Sequence, residues 1–99
     1  MTDDKTHLSR AERMETQLRA QFAPIHFVLT DESRRHAGHS GARPEGETHY
    51  KIVMVADVFK GESRVARQRL VYQALREEFD RGLHALSLDL KTPDEAGSA

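Results

Sequence analysis

The stretch THYKIVMVA, residues 48–56, constrains the fold more than any other part of this 99-residue chain. Its apolar residues Tyr50, Ile52, Met54 and Ala56 fall on alternate positions, which is the pattern of a β-strand that buries one face. A single strand has no partners for its backbone groups, so this segment must join a sheet whose apolar face is covered. A chain of this length has room for one such sheet and one covering layer.

Two further segments alternate in the same way and complete the predicted sheet. Residues 25–30 come directly after a proline, and residues 83–90 lie near the end of the sequence. Their apolar faces are formed by Ile25, Phe27 and Leu29 in the first segment and by His84, Leu86, Leu88 and Leu90 in the second, with Leu83 on the opposite face. We expect the first segment to pair antiparallel with residues 48–56.

Capping residues mark two helices. Ser9, with Glu12 three positions later, forms a capping box and predicts a helix over residues 10–22. Ser63 caps a second and longer helix, which Gly82 ends in a left-handed conformation. The buried stripe predicted for this second helix contains Val65, Leu70, Val71, Ala74, Leu75 and Phe79.

The predicted order of elements is helix, strand, strand, helix, strand, with at most one turn of helix after Thr92 and Pro93. Two strands of one sheet that are joined by a crossover helix normally run parallel. The sequence therefore predicts an α+β fold, a three-stranded mixed sheet covered by helices on one face. We expect residues 9–95 to form this domain, with a flexible tail at residues 1–8 and a short tail at residues 96–99.

Composition narrows the classes of function. The 15 basic and 16 acidic residues give a formal net charge of -1, so the whole chain offers no cationic field that would draw it to nucleic acid or a membrane. The absence of cysteine excludes disulfides and thiolate ligands and leaves histidine as the borderline-soft metal ligand. Since no run of about 18 apolar residues occurs, we expect no membrane contact and a cytoplasmic location.

Topology turns scattered histidines into candidate neighbours. The predicted connection at residues 32–47 carries His36 and His39 in the segment RHAGH. A parallel third strand begins at the edge where the second begins, so His84 should lie near this connection. Two interpretations stay open: a metal site, or exposed loop histidines beside a structural His84. His49, which opens the second strand, is predicted to be a surface residue.

A second candidate site lies where the long helix begins. A glycine ahead of a helix N-terminus can leave backbone N–H groups facing an anion, and here Gly61 is surrounded in sequence by cations, namely Lys60, Arg64, Arg67 and Arg69. Nucleic-acid phosphate is one interpretation, and a solvated helix end is the other. Glu62 disfavours phosphate binding, because its negative charge lies where the phosphate would approach. By the crossover argument, this site lies at the opposite sheet edge from His84.

Five short segments carry a family resemblance: DESRRH, ETHYKIVMV, FKGESRVARQRLVYQAL, GLHALSL and TP. In this order and spacing, the chain resembles the BolA family over residues 9–95. The resemblance implies a fold akin to the class II KH domain and a partnership with monothiol glutaredoxins around a bridging [2Fe-2S] cluster. Some members of the family are also described as DNA-binding transcriptional regulators.

The resemblance also implies a set of cluster ligands. They match His36 in SRRH and His84 in GLHAL, with His39 as the alternative loop ligand. Each iron needs two terminal ligands besides the sulfides, so two histidines serve one iron. The other iron would take thiolates from the glutaredoxin cysteine and from glutathione. We therefore expect the isolated chain, a monomer or weak homodimer, to hold no cluster.

Two residues depart from the family pattern. Gln68 stands where the family usually has a histidine on the long helix, and Ala96 stands where it has a tryptophan. The first change removes an imidazole from a surface that a partner or nucleic acid would touch. The second removes the residue that would anchor the last helix.

These observations favour a non-enzymatic adaptor that pairs with a monothiol glutaredoxin, in iron–sulfur cluster trafficking or in iron and redox sensing. The alternative is a DNA-binding transcriptional regulator that uses the basic residues around Gly61. A zinc hydrolase built from the histidines is disfavoured, because no carboxylate stands at a spacing that would mark a general base.

Overall fold

The computed structural model of the chain describes residues 8–32 and 49–97. Three strands and four helices lie in these ranges, and a short 3-10 turn at Asp57–Phe59 follows the second strand. In chain order the elements are α1 (Arg10–Phe22), β1 (His26–Asp31), β2 (His49–Val55), α2 (Arg64–Ala74), α3 (Arg76–Asp80), β3 (Ala85–Lys91) and α4 (Pro93–Gly97). The predicted α+β order is confirmed, and α4 extends to Gly97.

Helix α1 begins and ends as predicted. The Ser9 hydroxyl accepts a hydrogen bond from the Glu12 N–H at 3.1 Å, and the Glu12 carboxylate accepts one from the Ser9 N–H at 2.8 Å. This capping box satisfies two backbone donors at the helix start. The helix ends at Ala23, which adopts a left-handed conformation with φ of 47° that usually favours glycine.

The sheet has the strand order β1-β2-β3, so β2 is its centre. Strand β1 runs antiparallel to β2, from the pair His26↔Val55 to the pair Asp31↔Tyr50. Strand β3 runs parallel to β2. Both predicted pairings are confirmed. The helices cover one face, where the fully buried side chains include Met14, Leu18, Tyr50, Ile52, Met54, Phe59, Val71 and Leu75.

The second predicted helix is divided by Leu75. This residue has φ of -103° and ψ of 15°, outside the helical region, and it ends α2 and begins α3. Val71 and Leu75 are buried as predicted, but Val65 is 56% exposed, so its place in the buried stripe was wrong. Val65 lies in the first, exposed turn of α2, ahead of the residues that reach the core.

Two strand starts differ from the prediction. Ile25 is 67% exposed and precedes β1, where its N–H donates to the Val55 carbonyl at 2.8 Å. Strand β3 begins at Ala85, so Leu83 packs in the core and His84 is exposed, the reverse of the predicted faces. The cause is Gly82, which follows α3 and has φ of 117°, so the chain turns sharply there. Leu83 and His84 therefore precede the paired part of β3 and do not follow its alternation.

A buried carboxylate ties α1 to α3. Glu78 is 6% exposed, and its two oxygens accept hydrogen bonds from Arg13 at 2.7 and 2.9 Å and from Arg10 at 3.1 Å. Burial alone would raise the pKa of Glu78, but the hydrogen bonds from Arg13 and Arg10 outweigh it and hold the pKa below its ordinary value. Arg10 also donates to the Arg81 carbonyl at 2.9 Å, at the end of α3.

We expect Glu78→Gln to lower the free energy of unfolding by about 2–3 kcal/mol, because two largely buried guanidinium groups lose their counter-charge. Urea denaturation measures this effect. The matched control is Glu77→Gln, whose partner Arg81 lies 3.4 Å away with both side chains more than half exposed; this variant should lose less than about 0.5 kcal/mol. Equal losses in the two variants would contradict the assigned role of Glu78.

Candidate functional site

The candidate metal site lies where β2 and β3 begin. The first pair of the parallel register is His49↔Ala85, so His84 stands one residue ahead of the paired part of β3. The rings of His49 and His84 contact each other, with centroids 5.2 Å apart and planes inclined at 46°. His84 is exposed and His49 is half-buried. The structure thus brings two imidazoles together at this sheet edge.

The neighbour of His84 among the described residues is not one of the predicted ones. His36 and His39 lie outside the described residues, so their approach to His84 stays a prediction. His49, predicted to be a surface residue, is the imidazole that meets His84. The sequence held a usable signal for this contact, because two parallel strands that begin at one edge place their opening residues side by side.

The two imidazoles at this edge are donors that could bind a borderline metal ion. Imidazole nitrogens bind borderline metals, and two of them on one iron of a [2Fe-2S] cluster raise its reduction potential. Exposure of His84 leaves its ring accessible to a second protein. Within residues 8–32 and 49–97, no group of three or more histidine, aspartate or glutamate side chains is arranged to hold a metal ion.

The second candidate site begins with a tight turn after β2. Gly61 has φ of 78°, and the Glu62 N–H donates to the Phe59 carbonyl at 3.1 Å, so the glycine occupies a turn position that needs a positive φ. Lys60 lies 3.4 Å from the Asp57 carboxylate. The Ser63 hydroxyl accepts from the Ala66 N–H at 3.0 Å, which satisfies a donor at the start of α2.

Arg67 differs from the other predicted basic residues because its guanidinium is engaged within the chain. It donates to both Glu95 oxygens at 2.6 and 3.1 Å, to the Glu62 carbonyl at 3.0 Å and to the Leu90 carbonyl at 3.2 Å. The Arg67 side chain is only 12% exposed. Arg64 and Arg69 are exposed. The predicted basic cluster is therefore divided into exposed cations and one arginine that ties α2 to α4.

A groove of about 640 Å³ runs between α2 and β3 beside this arginine. Its lining includes Arg64, Gln68, Asp89 and Lys91, so both signs of charge are present. Mixed charge lowers the attraction of the groove for a polyanion. Gln68, which the family resemblance marks as a departure, lines this groove.

The start of α4 is held by a second capping box. The Thr92 hydroxyl accepts from the Glu95 N–H at 3.2 Å, and the Glu95 carboxylate accepts from the Thr92 N–H at 2.9 Å. The Arg67 guanidinium and the Thr92 N–H together lower the pKa of Glu95 to about 2. The side chain that anchors α4 is thus Glu95.

We expect Arg67→Ala to raise the pKa of Glu95 by about 1–2 pH units, since hydrogen bonding and charge from the arginine favour the ionised carboxylate. Carboxyl NMR shifts followed over pH measure it. The control Arg69→Ala should leave the Glu95 titration near pH 2.

In the unaltered chain, the stability that this ion pair supplies should be complete above about pH 4.3, the pKa of glutamate in the unfolded chain, and should disappear as the pH falls to 2. A Glu95 midpoint near 4 in the unaltered chain would contradict the assignment.

Comparison with known proteins defines the class of the chain. The family model described as "BolA-like protein" matches residues 18–95, which include every described strand and the C-terminal part of α1. The chain belongs to this BolA-like family. None of the helices in the described ranges is long and apolar enough to cross a membrane.

Two relatives and one solved structure show how similar this chain is to known members of the family. The chain is 47% identical over 92 residues to "Protein BOLA1, chloroplastic" of Arabidopsis thaliana, a match that covers 91% of this chain but only 58% of the relative. It is 42% identical over 84 residues to "DNA-binding transcriptional regulator BolA" of Escherichia coli, covering 85% of this chain and 76% of that protein. The structure of BolA1 from Arabidopsis thaliana superposes with a TM-score of 0.80 at 46% identity, covering 89% of this chain and 96% of the other.

Proposed function

We propose that this chain is a non-enzymatic adaptor that pairs with a monothiol glutaredoxin to hold a bridging [2Fe-2S] cluster. The observation that carries the proposal is the exposed His84 at the edge where β2 and β3 begin, with a second imidazole in contact with it. Family membership supports the proposal, because the match to the family model includes His84. The cytoplasmic location stays a prediction.

The cysteine-free sequence makes a partner necessary for this function. A [2Fe-2S] cluster needs two terminal ligands on each iron, and thiolates are the usual ones. This chain has six histidines and no cysteine, so its ligands to the cluster must be imidazoles. In the histidine-ligated arrangement, imidazoles bind one of the two irons. The glutaredoxin cysteine and glutathione would supply the two thiolates of the other iron.

His84 is the first ligand of the proposed centre. The buried Leu83 fixes the backbone directly before it, and the paired residue Ala85 fixes the backbone directly after it. A ligand held between two anchored neighbours loses little conformational entropy on binding a metal. The family resemblance gives the second imidazole to His36, with His39 as the alternative.

We expect a glutaredoxin loaded with a [2Fe-2S] cluster and glutathione to form a stable heterodimer with this chain and to change its visible circular dichroism. His84→Ala should weaken both effects at least about tenfold, since loss of a ligand costs at least as much as loss of a ligand's hydrogen-bond partner. His26→Ala is the matched control, because His26 pairs with Val55 at the opposite end of β2. An unaltered spectrum on mixing the proteins would contradict the proposal.

A second candidate function is DNA binding, favoured by the name of the Escherichia coli relative, "DNA-binding transcriptional regulator BolA". The cations offered for it are the exposed Lys60, Arg64 and Arg69 around Gly61. Arg67 is committed to Glu95, and the net charge of the chain is -1, so few phosphates can be neutralised here.

If DNA is bound by this surface, Arg64→Ala and Arg69→Ala should each reduce the slope of log affinity against log salt by about 1, because each removes one phosphate contact. Fluorescence anisotropy with duplex DNA at several salt concentrations measures the slope. Lys51→Ala, on the open face of β2, is the control and should leave the slope unchanged. A slope that responds equally to all three variants would point to non-specific attraction and against this surface.

A further inference from the structure

We propose that Arg67 is a phosphate-binding residue that the chain keeps closed, because Glu95 occupies its guanidinium as an internal competitor until DNA displaces it. This inference rests on the second candidate function, DNA binding by the surface around Gly61, and adds the control of that surface. The ligand that it assigns to Arg67 is a backbone phosphate of nucleic acid.

The guanidinium of Arg67 is held in place without help from Glu95. Its Nε donates to the Glu62 carbonyl at 3.0 Å, and its Nη1 donates to the Leu90 carbonyl at 3.2 Å. Its central carbon also lies 5.9 Å from the centroid of the fully buried Phe59 ring. These three contacts keep the guanidinium oriented when Glu95 leaves.

Glu95 occupies the part of the guanidinium that recognises oxyanions. Its two carboxylate oxygens accept hydrogen bonds from Nη1 of Arg67 at 2.6 Å and from Nη2 at 3.1 Å. Arginine binds carboxylates and phosphates in this same bidentate way. A phosphate that takes the place of Glu95 therefore meets two N–H groups that are already oriented, and little ordering is needed to bind it.

The groove beside Arg67 gains positive charge when Glu95 leaves. Arg64 and Lys91 line the same groove and are exposed. Together with Arg67 they make three cations, against the two carboxylates of Asp89 and Glu95. The departure of Glu95 thus raises the net charge of the lining from +1 to +2. A groove with this excess of positive charge attracts a polyanion more strongly.

Helix α4 can release Glu95 without disturbing the core. None of the residues Pro93–Gly97 is buried. The Glu95 side chain, which is 48% exposed, holds the helix through the capping box with Thr92 and the ion pair with Arg67. Segments with few buried apolar contacts open locally while the rest of the domain stays folded. The exchange of carboxylate for phosphate therefore requires movement of this short helix alone.

The test measures the affinity of the chain for duplex DNA by fluorescence anisotropy at several salt concentrations. Glu95→Gln keeps an acceptor for the Thr92 N–H, since glutamine also serves in a capping box, but it removes the charge that holds Arg67. We expect this variant to bind DNA at least about fivefold more tightly at about 0.1 M salt. The slope of log affinity against log salt should increase by about 1, because one phosphate contact is added.

Two controls identify the source of this gain. Adding Arg67→Ala to Glu95→Gln should abolish it, because the gain comes from the freed guanidinium. Glu77→Gln makes the same change in net charge on α3, where Glu77 contacts Arg81, and should alter the affinity less than about twofold. Thermal unfolding verifies that each variant is folded, and Arg67→Gln replaces Arg67→Ala if the double variant unfolds.

The remaining results separate failure of this inference from failure of the DNA function. The inference is overturned if Glu95→Gln gains no affinity, gains no more than Glu77→Gln, or keeps its gain without Arg67. The DNA function still stands in that case if Arg64→Ala and Arg69→Ala reduce the slope. Tighter binding of polyglutamate than of DNA by Glu95→Gln would assign Arg67 to a protein carboxylate and would also overturn the inference. If no variant binds duplex DNA, both are overturned.

Discussion

The parallel pairing of β2 with β3 determines where every candidate functional residue lies. The two strands pair along their whole length, from His49↔Ala85 to Val55↔Lys91. Because parallel strands begin at one edge and end at the other, this single register brings His84 to His49 and separates both from the turn that contains Gly61. A shift of one residue would reverse the faces of β3 and remove Leu86, Leu88 and Leu90 from the core. The hydrophobic pattern therefore protects the register on which the proposed metal site depends.

The crossover between these strands is held by charge as well as by apolar packing. Helices α2 and α3 meet at Leu75, where the chain leaves helical geometry, and Glu78 then faces α1. Its ion pairs with Arg13 and Arg10 are satisfied by three hydrogen bonds, which offsets much of the cost of burial. The contact fixes the end of α3, and with it Gly82, Leu83 and the position of His84. This structural ion pair thus supports the position of a proposed ligand.

Much of the fold was predictable from sequence, because alternation and capping are local signals. The capping box of α1, the faces of β2, the left-handed Gly82 and both strand pairings follow from such signals. The errors lie where tertiary packing overrides them: the break at Leu75, the exposure of Val65 and the reversed faces of Leu83 and His84. The contact between His49 and His84 was missed for a related reason: alternation excludes a register shift of one residue but not a shift of two, so it does not say which residue of β3 lies beside His49. Arg67 binds Glu95, which lies 28 positions away in the sequence, and no local pattern predicts this ion pair.

The two ends of the sheet impose different conditions on a partner. At one end His84 is exposed beside His49, and the proposed cluster would need a partner that brings its own sulfur ligands. At the other end the chain satisfies Arg67 with Glu95 and places acidic Asp89 in the same groove as Arg64 and Lys91, which weakens any attraction to a polyanion. Six residue steps of β2 separate these ends, a distance of about 20 Å, so the histidines and the basic turn belong to separate surfaces. If this chain has both functions, binding of one partner need not exclude the other, and any coupling between them would have to pass through β2 and β3.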